Sequence, residues 1–264
     1  MKSFFFVLLS SLLWGQINNP VNVVIYEQNF GKYTTTIDKT VLYSMFDKDT
    51  FLQFEFQKDK NTPTDSISLQ TFDLSKQSEN AQTLRYQKTE NNNFYVTGLD
   101  YYSLKYYLMN DSFMPRWKII PQQYKEILGY TCEKAESNFR GKKWIVWYTK
   151  NIPSPFGPWK LRGLPGLILE ATDEDGYYTF TAVQIKLNTN YTFNKSVVKY
   201  FEDEIPKAIP YKSFVEIDNK NKKTTIEKLQ STLPSGSSQD FSKSLLNRDL
   251  ELEKSFEWEK EPLK

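Results

Sequence analysis

Apolar and polar positions alternate in short runs separated by polar breaks, the mark of half-buried strands rather than helices. The clearest run is FLQFEFQ at residues 51–57, with Leu52, Phe54 and Phe56 on one side. VNVVIY at 21–26 reads as the first strand, and SISLQTF at 66–72 as a strand or extended segment. Between them, 58–65 is a polar loop carrying Pro63, and 75–93 is polar enough to read as loop or short helix. NFYVTGL and YYSLKYYLMN give two strands around Gly98-Leu99-Asp100.

Residues 113–180 carry the strongest pattern. RWKII reads as a strand ending at Pro121. GYTCEKAESNF follows, with Tyr130 and Cys132 on one face. Arg140-Gly141-Lys142 supplies a turn, and KWIVWYT returns with Trp144, Val146 and Tyr148 on one face, Ile145 and Trp147 on the other. Two apolar faces predict a strand covered on both sides. The next sixteen residues, NIPSPFGPWKLRGLPG, hold four prolines and three glycines. That composition excludes a regular helix or a central strand, and a long ordered loop is often a cover or a functional element. LILEATDEDGYYTFTAVQIKL then predicts a hairpin turning at Asp175-Gly176. GLPGLI, residues 163–168, joins loop to hairpin. Gly163 and Gly166 permit unusual backbone angles and Pro165 fixes φ, so the hexapeptide reads as a pinned bend that buries Leu164, Leu167 and Ile168.

Periodicity weakens after residue 187. Residues 188–210 read as loop with one short helical turn and 211–218 as a strand. TTIEKLQSTL at 224–233 reads as a helix opened by a Thr224/Glu227 capping box. PSGSSQD breaks the chain, and the charged, amphipathic remainder is expected to fray. The expected organisation is a signal peptide at 1–15, a single β-rich domain at 16–233, and a flexible or partly helical segment at 234–264. The leader rests on the apolar run FFFVLLSSLLW, which is too short to span a bilayer. The fold class is mainly β (β-rich α+β), a curved antiparallel sheet or open half-barrel with one or two short helices late in the chain. Its outline resembles periplasmic lipoprotein carriers, an analogy of fold alone.

Composition narrows the chemistry. Aromatics at 16% support strands. The net charge of +2 makes no demand for nucleic acid. The chain has no histidine, which removes Ser-His-Asp triads and His-bound zinc. Cys132 is the single cysteine, so an intramolecular disulfide is excluded, and it reads as a buried strand residue. No nucleotide fingerprint occurs, and no cofactor or metal is expected. The acidic triplet Asp173-Glu174-Asp175 reads as an exposed hairpin tip.

The ordered pieces W-K, G-Y-x-C-x-K-A, R-G-x-x-W-x-x-W-Y-T, I-P, G-P-x-K and G-L-P-G-L-I run from Arg116 to Asp173. In this order they resemble the GLPGLI family of Bacteroidota exported proteins. The motif positions are Gly129, Tyr130, Cys132, Trp144, Trp147, Tyr148, Pro153, Gly157, Pro158, Gly163, Leu164, Pro165, Gly166, Leu167 and Ile168. The resemblance implies an exported envelope protein; the leader region has no cysteine for lipid anchoring and no second hydrophobic run follows, so a periplasmic or extracellular protein that is soluble after leader removal and not a lipoprotein is expected. The resemblance implies no established activity, so no catalytic residue is assigned and a non-enzymatic role is expected. Three functions remain open. The first is binding of a hydrophobic ligand or envelope partner on an aromatic concave face bearing Trp144, Trp147, Tyr148, Phe156 and Trp159. The second is an interaction subunit of an outer-membrane complex pairing through a sheet edge. The third is a hydrolase built on two carboxylates across a cleft.

Overall fold

The computed structural model describes residues 20–31, 40–57, 83–88, 90, 92–232, 248 and 251–259. The readings of 1–15 as signal peptide, 58–65 as loop and 66–72 as strand or extended segment, and most of the C-terminal reading, fall outside the described residues. Among those described, twelve strands form one open sheet in the order β12-β6-β5-β4-β3-β2-β1-β11-β10-β9-β8-β7, not closed into a barrel. They are β1 (Val21–Phe30), β2 (Thr40–Phe46), β3 (Thr50–Gln57), β4 (Thr83–Lys88), β5 (Phe94–Asp100), β6 (Lys105–Asn110), β7 (Lys118–Ile127), β8 (Tyr130–Phe139), β9 (Lys142–Thr149), β10 (Leu167–Asp173), β11 (Tyr178–Thr189) and β12 (Ile209–Pro210). The helices are α1 (Lys195–Glu204) and α2 (Tyr211–Ser231). The mainly β expectation with late helices therefore holds.

Two antiparallel meanders, β2 to β6 and β7 to β11, are joined through β1, which pairs with both β2 and β11. Two core clusters occupy the opposite faces of the first meander. Tyr26, Leu42, Phe46 and Phe51 belong to one, and Ile25, Tyr43, Met45 and Phe54 to the other. The proline loop packs on the first face. Its Phe156 stacks on Phe51 at 4.6 Å, and its Trp159 lies 5.6 Å from Trp144 and faces Phe180. The same loop thus touches both meanders, and the sheet curls around it. Tyr26 ties it down by donating its hydroxyl to the Ile168 carbonyl at 2.6 Å. On the opposite face, α1 lays Val197 and Phe201 on the sheet, Phe201 stacking on Tyr86 at 4.7 Å.

Several elements depart from the sequence reading. β2 is buried along its whole length and so shows no alternation. β4 falls in the stretch read as loop or helix. Its polar Arg85 and Gln87 are buried because Gln53, Glu55 and Arg162 satisfy them. β7 does not stop at Pro121. It is an edge strand with a register irregularity between Ile120 and Tyr124 and Gln122 at φ 58, the setting in which a strand tolerates proline. β9 buries Trp144, Val146 and Tyr148, while Ile145 and Trp147 are half-exposed, so its second face is not fully covered.

Residues 195–204 form a three-turn helix rather than one turn. Asn194 caps it, its side chain accepting from the Ser196 and Val197 N–H groups. Asn194→Ala should cost about 1 kcal/mol, read as a lower urea midpoint with an unchanged slope. Residues 211–218, read as a strand, open α2, which runs on through 224–231 as one helix. Thr224 is therefore no cap; its hydroxyl donates to the Lys220 carbonyl inside the helix. No helix among the described residues is long and apolar enough to cross a membrane.

Candidate functional site

The β8–β9 hairpin closes through a two-residue turn, with Phe139 opposite Lys142. Arg140 and Gly141 occupy it at φ 53 and 77, as a type I′ turn requires. The turn aims the Arg140 side chain inward, where it is fully buried. Its guanidinium pairs with Asp111, with Glu253 at 3.3 Å and with Glu257 at 3.1 Å. Five rings surround it at 5.1–5.5 Å: Phe113, Phe139, Tyr211, Phe256 and Trp258. Such ring faces attract a desolvated cation.

Lys160, from the proline loop, joins the same node. Its ammonium lies 2.7 Å from Asp111, 3.1 Å from Glu253 and 3.7 Å from the centre of the Tyr211 ring. Tyr211, at the start of α2, donates to Glu253, and burial pushes its phenol well above the usual range. Arg162 lies over Phe94 at 4.4 Å and bonds Gln87, with the Phe113 and Ser112 carbonyls completing its donors. Burial lowers its pKa to about 10. Buried cations need paired carboxylates, and residues 251–259 deliver two of them. This strap is held by the Lys254 and Ser255 N–H groups on the Arg140 carbonyl.

Beside the node opens a cleft of about 450 Å³, lined among others by Phe113, Asn138, Lys143, Glu174, Phe256 and Glu257. Burial holds the Glu257 carboxyl above the ordinary carboxylate range, and Arg140 only partly opposes this. On the opposite wall Lys143 bridges Glu174 at 3.0 Å and Glu136 at 3.7 Å. A carboxyl whose pKa is raised by burial beside a cleft can, once protonated, act as a proton donor to a leaving atom.

The motif residues of the sequence reading do not gather here. Cys132 is buried in β8, where burial raises its thiol to about 11. Gly129 forms the β7–β8 turn at φ 79, next to Tyr130. Trp144 and Tyr148 are core, and Trp147 lies on the other face beneath Lys125. In the loop, Gly157, Pro158, Leu164 and Gly166 are buried, whereas Pro153, Gly163 and Pro165 face outward. Leu167 and Ile168 are buried at the start of β10. Gly163 does need its φ of 96, but Gly166 is required for close approach to the Thr149 carbonyl instead. The aromatic face expected to hold a hydrophobic ligand is filled by the loop's own Phe156 and Trp159. Asp173 is no hairpin tip: it is buried against Lys142 at 3.0 Å, and the exposed tip is Glu174 and Asp175.

The node's residues escaped the sequence reading. Arg140 looked like a turn residue, and Lys160 and Arg162 like loop charges. The strap looked like a fraying tail, although Leu252, Phe256 and Trp258 are large apolar residues in a charged segment and signal packing. Among the described residues no group of three or more His, Cys, Asp or Glu side chains is placed to hold a metal ion.

The chain is similar to PNGF-II in its C2 crystal form, with TM-score 0.51 and 15% identity over 77% of this chain and 33% of that one. The P21 form gives TM-score 0.48 and 17% identity over 67% and 30%. The chain thus spans about a third of the length of these solved structures. It belongs to the N-glycanase peptide, N-terminal domain family, which matches residues 29–212. No curated protein matches the chain.

Family membership overturns three expectations. The motif order around GLPGLI does not place the chain in the GLPGLI family, since the matching family spans that stretch and much of the chain besides. The non-enzymatic assignment falls because that family is named for an enzyme. The hydrophobic-ligand carrier and the outer-membrane subunit fall for the same reason, and the filled concave face argues separately against the carrier.

Proposed function

We propose that the chain works in a glycan-processing hydrolase of the N-glycanase class, handling its glycan in the Glu257 cleft. The observation that carries this reading is membership of the N-glycanase N-terminal domain family over residues 29–212. The cleft supports it with chemistry suited to hydrolysis. Phe113, 39% exposed, offers an apolar face to a sugar ring, and Glu257, once protonated, gives its proton to the leaving atom while water supplies the hydroxyl and returns a proton to Glu257. Lys143 and Glu174 form a polar wall able to orient substrate.

The test is release of free glycan from a peptide carrying one Asn-linked glycan, followed by mass spectrometry. Glu257 acts in its protonated form, so the rate should fall as pH rises through its pKa. Burial sets that pKa above the ordinary glutamic value of about 4.3. Glu257→Gln should lower the rate about 100-fold without unfolding the chain. Absence of release by folded wild-type protein, or an unchanged rate in Glu257→Gln, would sink the reading.

A further inference from the structure

The β5–β6 hairpin turns through residues 101–104 and carries large apolar side chains into solvent. Tyr101 is 73% exposed, Leu104 76%, Tyr106 72% and Tyr102 39%. Single exposed apolar residues are ordinary, but a contiguous patch marks a surface that meets another apolar phase. Leu104 stands at φ 55, a left-handed angle that glycine enters freely and leucine only under strain. Leucine here works against folding twice, through its backbone angle and through its exposure.

The tip is nevertheless held in shape. Asp100, fully buried, accepts the Tyr102 N–H at 2.9 Å and the Ser103 N–H at 3.3 Å on Oδ1. Its Oδ2 accepts the Ser103 hydroxyl and, at 2.6 Å, the side-chain amide of Asn221. Asn221 thereby ties the turn to α2. That helix starts beside Asn110, where Pro210 pairs with β6, and draws level with Asp100 at Asn221. It runs along β6 toward the tip, and residues 222–231 carry it about 15 Å further.

The helix is basic where it passes the tip. Lys220, Lys222, Lys223 and Lys228 stand there against one acid, Glu227, within residues 219–228. Lys222 pairs with Glu251 at 3.4 Å and Lys223 meets Glu227 at 4.0 Å. Asp218 is half-buried and Asp100 is consumed by its hydrogen bonds. Lys105 on the hairpin, with Lys220 and Lys228 on the helix, leaves an exposed excess of positive charge beside the apolar tip. Tyrosine rings settle at the headgroup level of a bilayer, leucine enters the acyl region, and lysines attract anionic headgroups. A sugar ring would account for the tyrosines but not for Leu104 or the lysines. We propose that the β5–β6 tip and the adjacent lysines of α2 dock the protein on an anionic lipid bilayer, Leu104 entering its apolar layer. The inference is independent of the glycan reading, because the tip shares no residue with the Glu257 cleft.

Co-sedimentation of the full chain with vesicles tests this, using equal parts phosphatidylcholine and phosphatidylglycerol in one set and phosphatidylcholine alone in the other. Saturable binding to the anionic vesicles is expected, about tenfold weaker to the neutral ones and falling as salt is added. Leu104→Gly should weaken binding about tenfold through the loss of one inserted leucine. Its melting temperature should hold or rise, since glycine relieves the strain at φ 55, so a binding loss there is not a folding loss. Lys105→Gln combined with Lys220→Gln should weaken binding about tenfold on anionic vesicles and leave the neutral ones unchanged. No binding by folded wild-type protein, equal binding to both vesicle types, or undiminished binding in both variants would overturn the proposal. Saturable NMR shifts of the tip with mannotriose, in protein that ignores vesicles, would overturn it in favour of a sugar platform.

Discussion

Gly166→Val is expected to abolish the native fold, and even Gly166→Ala to lower stability by about 3 kcal/mol, the upper end of overpacking costs. A Cβ at this position would lie 2.1 Å from the Thr149 carbonyl oxygen and 3.0 Å from the Lys150 Cα. Both are backbone atoms at the end of β9, so no side-chain rotation relieves the overlap. The loop would have to move away from the strand, taking with it Leu164, Leu167 and the Ile168 carbonyl that Tyr26 binds. Gly129→Ala is the control. Gly129 stands at φ 79 with open space around it, so alanine there incurs only left-handed backbone strain of about 1 kcal/mol. Thermal melts of both variants separate the two mechanisms. Equal midpoints would show that close approach to the β9 backbone makes no special demand at Gly166.

Much of the sheet was legible because alternation follows one-sided burial. β9 and β11 declared themselves this way, β1, β3, β5 and β6 by their β-branched and aromatic runs, and Arg140-Gly141 marked its hairpin. β2 stayed silent because both of its faces are buried. β4 stayed silent because its polar side chains are buried in mutual pairs, which composition counts as loop. The helical start of α2 was visible in principle, since Tyr211, Phe214 and Val215 stand at helical spacing. Its short apolar alternation was read with a period of two instead.

The candidate site was far less legible, for a physical reason. Its charges come from four separate stretches: Asp111, Arg140, the Lys160–Arg162 segment and Glu253 with Glu257. Each looks like an ordinary solvated charge in its own neighbourhood. Only the curl of the sheet around the proline loop brings them together, and that curl is a long-range consequence of β1 pairing with β11. The family resemblance erred in a related way. GLPGLI is a packing device at Gly166, and a packing device does not by itself specify the function of the fold that carries it.

Arg140→Asn makes the sharpest test of the node, because turn and network pull in opposite directions. Asn-Gly is the preferred type I′ dipeptide, so relief of the strain at φ 53 should return on the order of 1 kcal/mol. The same change leaves Asp111, Glu253 and Glu257 without their shared cation, and breaking a buried ion pair costs about 3–5 kcal/mol. The network should win, and the melting temperature should fall by roughly 10 °C. Glu257, whose carboxyl burial already holds up, then loses the cation that opposes this shift. Folded pKa values raised above unfolded ones mean stability lost as pH rises, so the deficit should narrow as pH falls. Adding Asp111→Asn removes one of the two carboxylates that would then share Lys160, leaving that cation to Glu253, and should recover about 1 kcal/mol relative to additivity. A variant as stable as wild type, or a strictly additive double variant, would mean that five aromatic rings hold this corner and the charges do not.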